Sequence, residues 1–170
     1  MREYFSSILG HYLLATSNEW GAIDRGEAGP GWSATGNGFT AREPFVVDVF
    51  GRDPPLSAHV ERFYGSVSPG PNSHFFTIDP AEARILHDRF DPTPPSEPRW
   101  RSEGYPFNAF PVRADGTCDS GKLPVLRAFN NGPARGLEPN HRYSVDGHQI
   151  EQMASAGWIV EGIAFCVDAG

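Results

Sequence analysis

One eight-residue phrase occurs three times in this sequence. The copies lie at residues 32–39 (WSATGNGF), 100–107 (WRSEGYPF) and 158–165 (WIVEGIAF), and they align without a gap. Their shared pattern, W-x-x-[TE]-G-x-x-F, contains three of the four tryptophans in the chain. Such self-similarity is typical of repeat proteins, in which one unit is too small to bury its apolar surface alone. We therefore interpret the chain as three copies of one structural unit.

A second phrase precedes each copy and begins at a histidine. His11, His74 and His141 each open a segment of β-forming residues that leads into a helical pattern. The linking segments GRDPPLSAH and RADGTCDSGKLP, and the insertion FDPTPPSEP in the second unit, have the composition of surface loops. The predicted organisation is a single domain, 1–170, with pseudo-repeats at 2–42, 60–112 and 124–168.

Each unit is predicted to be strand-strand-helix-strand. The 19 glycines and 16 prolines indicate short elements joined by frequent turns. Ser17, Asp79 and Asp146 are the expected helix caps, because their side-chain oxygens can accept from free amides of a first turn. The predicted fold class is mainly β with short helices (α+β), in three degenerate units with a pseudo-threefold arrangement. A β-trefoil-like barrel or a small propeller is the alternative closure.

The aromatic residues of the repeated phrase are the predicted core. One unit has too little apolar surface to stand alone, so the three units are expected to pool these rings in one centre. The predicted core residues are Trp32, Phe39, Trp100, Phe107, Trp158 and Phe165.

Charge and hydropathy exclude two classes of partner. The formal net charge is −7 and the 14 basic residues are scattered, which argues against a nucleic-acid partner. No apolar run is long enough to predict a membrane span. The first residues, MREYFSSILGHYLLAT, lack the continuous apolar segment of a signal peptide and are expected to form the first strands.

Two cysteines, Cys118 and Cys166, are compatible with a disulfide. Closing the loop between them would stabilise the fold by about 4 kcal/mol if the effect comes from the entropy of the unfolded chain. Two buried free thiols are the alternative.

The repeated histidines are candidate site residues. His11, His74 and His141 could make a structural hydrogen bond in each unit, line a ligand pocket, or converge on a metal ion. The structural role is the preferred interpretation, with Asn72 and Asn140 just upstream as turn residues. No cofactor and no metal are expected.

Two further groups of residues could act on a ligand. Glu103 and Glu161 precede the glycine of the repeated phrase and could serve as the carboxylates of a small hydrolase. Trp20, on a predicted helix, and Tyr105 are the expected exposed aromatic residues, and aromatic faces bind sugar rings. No nucleophile motif and no phosphate-binding loop are present in the sequence.

The phrases resemble a repeat family of unknown function found at the C-termini of exported bacterial proteins, with relatives in fungi. The resemblance rests on FYG, PNSHFFTIDPAEA, NHRYSVD and GWIVEGIAFCV, and it covers nearly the whole chain. It implies a three-repeat module but no established activity. The first unit departs from the family pattern, with Thr35 in place of the glutamate and Ser17-Asn18 in place of Asp-Pro.

These observations predict a non-catalytic extracellular binding module, located outside the cell or at the cell envelope. The expected ligand is a glycan or a cell-surface partner, bound at up to three similar sites. A structural spacer on a larger exported protein and a small hydrolase using Glu103 or Glu161 are the alternatives.

Overall fold

The computed structural model describes residues 1–44, 57–65, 71–88 and 100–170, which form three successive sets of elements. The first unit contains β1 (Arg2–Ser6), β2 (His11–Ala15), α1 (Ser17–Asp24) and β3 (Trp32–Gly38). The second unit contains β4 (Ala58–Gly65), β5 (Ser73–Thr77), α2 (Pro80–Asp88), β6 (Trp100–Ser102) and β7 (Phe107–Ala109). The third unit contains β8 (Lys122–Phe129), a 3₁₀ turn (Gly132–Arg135), β9 (His141–Ser144), α3 (Gly147–Ser155) and β10 (Ile159–Asp168).

The three units share one strand order. In each antiparallel sheet the first strand lies between the second and the third, in the orders β2-β1-β3, β5-β4-β6 and β9-β8-β10, and β7 also pairs with β4. The predicted α+β class is confirmed. The described strands form three separate sheets, so the β-trefoil-like barrel is wrong. A propeller blade would place every strand beside the next one along the chain, whereas in these sheets the second and third strands are not neighbours.

Side-chain caps fix where the helices begin. Asp79 and Asp146 cap α2 and α3 as predicted, each accepting the backbone N–H two residues later, at 2.7 and 2.9 Å. In α1 the predicted cap, Ser17, is already helical, and Thr16 holds the cap position. The cap moves because Glu19 Oε2 accepts from both the backbone N (2.7 Å) and the Oγ1 (2.8 Å) of Thr16.

The backbone conformation explains why the repeated phrase contains a glycine. Gly36, Gly104 and Gly162 have φ values of 86°, 80° and 96°, in the left-handed region that side chains disfavour. In the third sheet the pairing register shifts between Val160 and Gly162, as expected where a left-handed glycine forms a β-bulge.

The phenylalanine of the repeated phrase is the central core residue of each unit. Phe39, Phe107 and Phe165 form a triangle of rings, with centroids 5.6 to 6.2 Å apart. Phe107 and Phe165 are fully buried, and Phe39 is packed against them. The other buried members of this cluster are Leu14, Val60, Phe76, Ala109, Val125, Tyr143 and Val167. The main core is therefore shared among all three units.

The tryptophans of the phrase do not join the phenylalanine triangle. Trp32, Trp100 and Trp158 are half-buried. Trp32 and Trp100 pair with the last residues of the central strands, Ser6 and Gly65, which places them at one end of each sheet. Trp32 packs there against a smaller cluster of the first unit, whose buried members are Tyr4, Ala15 and Ile23.

The second strands of the units contact one another through side chains at the centre. The fully buried Asn140 amide accepts from the backbone N of Tyr12 (2.8 Å) and donates to the backbone O of Tyr12 (3.1 Å) and to Ser73 Oγ (3.0 Å). The Tyr143 hydroxyl bridges the backbone of Phe76, accepting from its N and donating to its O. The β2, β5 and β9 strands are thereby joined without backbone pairing between units.

The predicted disulfide between Cys118 and Cys166 is confirmed, with their Cα atoms 5.8 Å apart. It joins the loop before β8 to β10 of the same unit. Phe110, just after β7, exchanges two backbone hydrogen bonds with Cys166, which links the second unit to the same place. Within the described residues, no helix has the length and apolarity needed to span a membrane.

Truncation of one ring in the triangle should destabilise all three units together. We expect Phe107→Ala to lower the free energy of unfolding by about 3–5 kcal/mol, because it leaves a cavity that packing from three units surrounds. Denaturant unfolding checks this, with Leu137→Ala, a truncation of an exposed side chain, as the control that stays within about 0.5 kcal/mol. A loss below 1 kcal/mol for Phe107→Ala would contradict a shared core.

Candidate functional site

Strand pairing shows which residues occupy the same place in the three units. The cross-strand pairs are Leu14–Glu3, Phe76–Arg62 and Tyr143–Arg127. Two residues before these core positions, the equivalent residues are Tyr12, His74 and His141. At the position before that, the equivalent residues are His11, Ser73 and Asn140, and all three are buried. The histidine of the first unit therefore lies one position away from the other two.

A cleft of about 480 Å³ lies between the first and second units. Its lining includes Trp32 and Leu13 of the first unit and Tyr64 and His74 of the second unit. The apolar tip of the β1–β2 turn, Ile8-Leu9, is exposed at its rim. Aromatic side chains thus face the cleft from both units.

The floor of the cleft is polar and fixed. His11 is buried, with its Nδ1 3.0 Å from the backbone O of Asn72. Burial lowers the pKa of His11, so its ring is neutral at pH 7. Asn72 has a left-handed φ of 44°, and its Oδ1 accepts from the Tyr64 hydroxyl at 2.9 Å. Asparagine adopts this left-handed region more readily than most other residues.

An ion-pair network closes one side of the cleft. Glu103 Oε2 lies 3.3 Å from His74 Nε2 and 2.8 Å from Arg62 Nε, the latter contact an ion pair rather than an aligned hydrogen bond. Arg62 also pairs with Glu19 of the first unit at 2.7 Å. Partial burial raises the pKa of Glu103, but His74 and Arg62 outweigh that effect and hold it below its ordinary value. Glu103 is therefore a stable carboxylate, not a proton donor.

The same network recurs at the junction of the second and third units. Arg127 pairs with Glu161 of its own unit at 2.7 Å and with Glu82 of the second unit at 2.7 Å. Opposing effects act on the Glu82 carboxylate: burial raises its pKa, and the bonds from Arg127 and Thr77 lower it to a net value below the ordinary one. Each arginine of a first strand thus bridges two units.

The first unit reverses these charges. Glu3, only 2% exposed, stands where the arginines stand, and it accepts from Thr35 Oγ1 at 2.7 Å instead of pairing with a glutamate. Its countercharge is Arg142 of the third unit, whose Nε and Nη2 donate to it at 2.8 and 2.9 Å. Arg142 also donates to Gln149 on α3, the helix position that carries glutamate in the other units. Thr35 therefore replaces the glutamate of the phrase as one of several changes that together reverse the charges at this junction.

His141 occupies a different environment from the cleft histidines. Its ring stacks on Phe129 and meets the edge of Phe75, with centroids 4.9 Å away in both cases. Burial, and secondarily the charge of Arg127, lowers its pKa to about 3. Its Nδ1 has no hydrogen-bond partner among the described residues. His141 is thus a neutral, largely structural ring at the second junction.

The three repeated histidines do not line one common cavity. His11 and His74 line the cleft, whereas His74 and His141 line a separate internal cavity of about 10 Å³. Over the ranges that the structure describes, no group of three or more His, Cys, Asp or Glu side chains is placed to hold a metal ion.

The other sequence candidates lie elsewhere. Trp20 and Tyr105 line a second, wider groove of about 1150 Å³ that shares Glu103 with the cleft. The guanidinium of Arg2 covers the Trp20 ring at 4.1 Å, and Tyr105, 53% exposed, packs on His59. Sequence reasoning did not select Leu13, Trp32 or Tyr64 as cleft residues. Only the repeat alignment of their neighbours could have pointed to them.

Together these features define a class: an α+β protein of three like units, with an aromatic-walled cleft at one junction. The chain belongs to the family described as "Domain of unknown function (DUF5648)", whose family model matches residues 1–168. The predicted relation to a domain family of unknown function is confirmed. No curated protein and no solved structure matches the chain.

The reversed charges should be tolerated only as a set. We expect Glu3→Arg alone to lower the free energy of unfolding by about 3–5 kcal/mol, because it buries two arginines against each other. Adding Thr35→Glu, Arg142→Leu and Gln149→Glu, which copies the other junctions, should recover most of that loss in denaturant unfolding. A fourfold variant no more stable than Glu3→Arg would refute the proposed equivalence.

His141 should make stability depend on pH in a defined direction. Its pKa is lower in the folded chain (about 3) than its ordinary value of 6.5, so the unfolded chain binds the extra proton first as pH falls. Stability contributed by the neutral ring is therefore complete above pH 6.5 and declines below it, by about 2 kcal/mol between pH 7.5 and 5.

Denaturant unfolding at both pH values tests this contribution. His141→Phe keeps the ring packing and should remove about 2 kcal/mol of the pH-dependent difference. The remaining slope then comes from other groups, His11 included, whose pKa is also lowered by burial. His148→Gln, at an exposed position, is the control that leaves the slope unchanged. Equal slopes for His141→Phe and the wild type would contradict the prediction.

Proposed function

We propose that this protein is a non-catalytic binding module that recognises a glycan outside the cell. The observation that carries the proposal is the cleft between the first and second units. Its volume of about 480 Å³ falls within the range of about 300–1,000 Å³ of small-molecule sites. Its lining combines aromatic walls with a few polar side chains, which is the usual composition of such sites.

The chemistry of the lining fits a sugar ring. A pyranose has an apolar face of C–H groups and an edge of hydroxyls. The indole of Trp32 and the tilted ring pair of Tyr64 and His74 (centroids 5.0 Å apart) offer surfaces for the face. The Asn72 amide nitrogen and the Glu103 carboxylate offer a donor and an acceptor for hydroxyls. A carboxylate at the rim and a net charge of −7 favour neutral over anionic sugars.

The carboxylates do not favour the hydrolase alternative. A glycoside hydrolase needs one carboxyl group whose pKa is raised so that it can donate a proton. The pKa of Glu103 is instead held low by His74 and Arg62 in spite of partial burial. Glu161 is committed to Arg127 at 2.7 Å. The environments of Glu103 and Glu161 therefore favour a binding role over a catalytic one.

An extracellular setting is supported by the disulfide. Disulfides persist mainly in oxidising compartments, and this one ties the third unit together at Cys118 and Cys166. Among the residues that the structure describes, the proposed site lies at one junction, because the other two junctions have their rings in contact. A polymeric ligand would then gain avidity only from several copies of the protein.

A glycan array and pull-down on insoluble polysaccharides test the proposal. We expect selective retention on one neutral glycan class, and at least tenfold weaker binding for Asn72→Gly. That variant removes the amide but keeps the left-handed backbone that glycine adopts freely. Leu137→Ala, at an exposed position, is the matched control and should bind as the wild type does. Blank arrays and pull-downs with folded protein would reject the function.

A further inference from the structure

One position of the second strand differs in size among the units. Leu13, Phe75 and Arg142 directly follow the equivalent residues Tyr12, His74 and His141, and they pair with the same position of the first strands. Each of the three contacts or faces the junction with a neighbouring unit. The side chain at this position therefore decides how much of the junction is filled.

At the junction of the second and third units, the position is filled by an aromatic ring. Phe75 contacts Trp100 of its own unit at 6.2 Å and His141 of the third unit at 4.9 Å between centroids. The Phe129 ring stacks on the far side of His141. The rings of this junction thus form one continuous series of contacts, two edge-to-face and one stacked.

At the junction of the third and first units, the position is filled by a guanidinium. Arg142 lies over the ring of Tyr12, with its Cζ 4.2 Å from the ring centroid. Trp158 meets the same Tyr12 ring edge-on at 5.9 Å. The rings of this junction are also in contact.

At the junction of the first and second units, the corresponding side chain is the smaller Leu13. Here Trp32 and the His74–Tyr64 pair are the counterparts of the rings that touch elsewhere, and the cleft lies between them. We propose that Leu13 is the specificity-determining residue of the cleft: it leaves space for one ring of a ligand where Phe75 and Arg142 supply a group of the protein itself. The inference rests on the proposed function for the nature of that ring, a neutral pyranose.

The proposal predicts that the site can be closed, copied and moved by changing this position. Leu13→Phe should close the cleft, Phe75→Leu should open a second one beside Trp100, and the double variant should move the site from one junction to the next. Leu13→Tyr, which also places a ring at this position, is a second closing variant should Leu13→Phe fail to fold. Leu13→Met keeps the side-chain volume and is the matched control.

NMR titrations of ¹⁵N-labelled full-length protein read out each junction separately through the indole N–H signals of Trp32 and Trp100. Two kinds of probe are used: indole, which is a ring without sugar hydroxyls, and the methyl glycosides of glucose, galactose and mannose. In the wild type and in Leu13→Met, we expect a glycoside and indole to shift the Trp32 signal and not the Trp100 signal. Leu13→Phe should reduce the Trp32 response at least fivefold, and Phe75→Leu should add a Trp100 response.

The outcomes separate this inference from the proposed function. If glycosides shift Trp32 equally in the wild type and in both closing variants, glycan binding stands and the role of Leu13 is rejected. If indole follows the predicted pattern but every glycoside is silent, the role of Leu13 stands and the glycan is rejected. No response of Trp32 to any probe, or no Trp100 response in folded Phe75→Leu, overturns the inference.

Discussion

The structure depends on three phenylalanine rings that meet in one place. The three small sheets share one main core, and Phe39, Phe107 and Phe165 each bring one ring to its centre. Each unit, at roughly 40 to 50 residues, is near the size below which a chain rarely folds without further support. The units therefore stabilise one another, and the phenylalanine of the phrase is the residue by which each unit joins the shared core.

Placing like units around a shared centre creates three junctions, and the buried charges show how they are matched. An arginine of the central strand bridges two units at two junctions, and a buried glutamate does so at the third. A single reversed charge would leave an unpaired buried ion, which costs several kcal/mol. Thr35, Arg142 and Gln149 are the compensations for Glu3. The departures of the first unit from the repeat pattern therefore form a second arrangement in which the buried charges are also paired.

The fold could be predicted from the sequence more fully than the candidate site could. The repeated phrase, the Asp caps and the disulfide are each local or strictly periodic signals, and they predicted the α+β class of three units. The histidines were misaligned because matching letters placed His11 with His74 and His141, whereas strand pairing aligns Tyr12 with them. Connections of different length after the first strand hide such a shift of one residue. The recurrence of the tryptophans in the phrase predicts a place in the shared centre, whereas Trp32 and Trp100 pair at the ends of the central strands.

The cleft itself could not be predicted from any one segment, because it is a difference between junctions. Whether space exists beside Trp32 depends on how a leucine of the first unit compares with a phenylalanine and an arginine that serve other junctions. Core positions must stay alike in all units because they share one centre, but each junction faces only two units and can vary alone. A repeat protein of this kind can therefore acquire a binding site by reducing one side chain at one junction, without disturbing the packing that holds the three units together. The aromatic residues around that space are then already in place, since they are the ones that fill the other junctions.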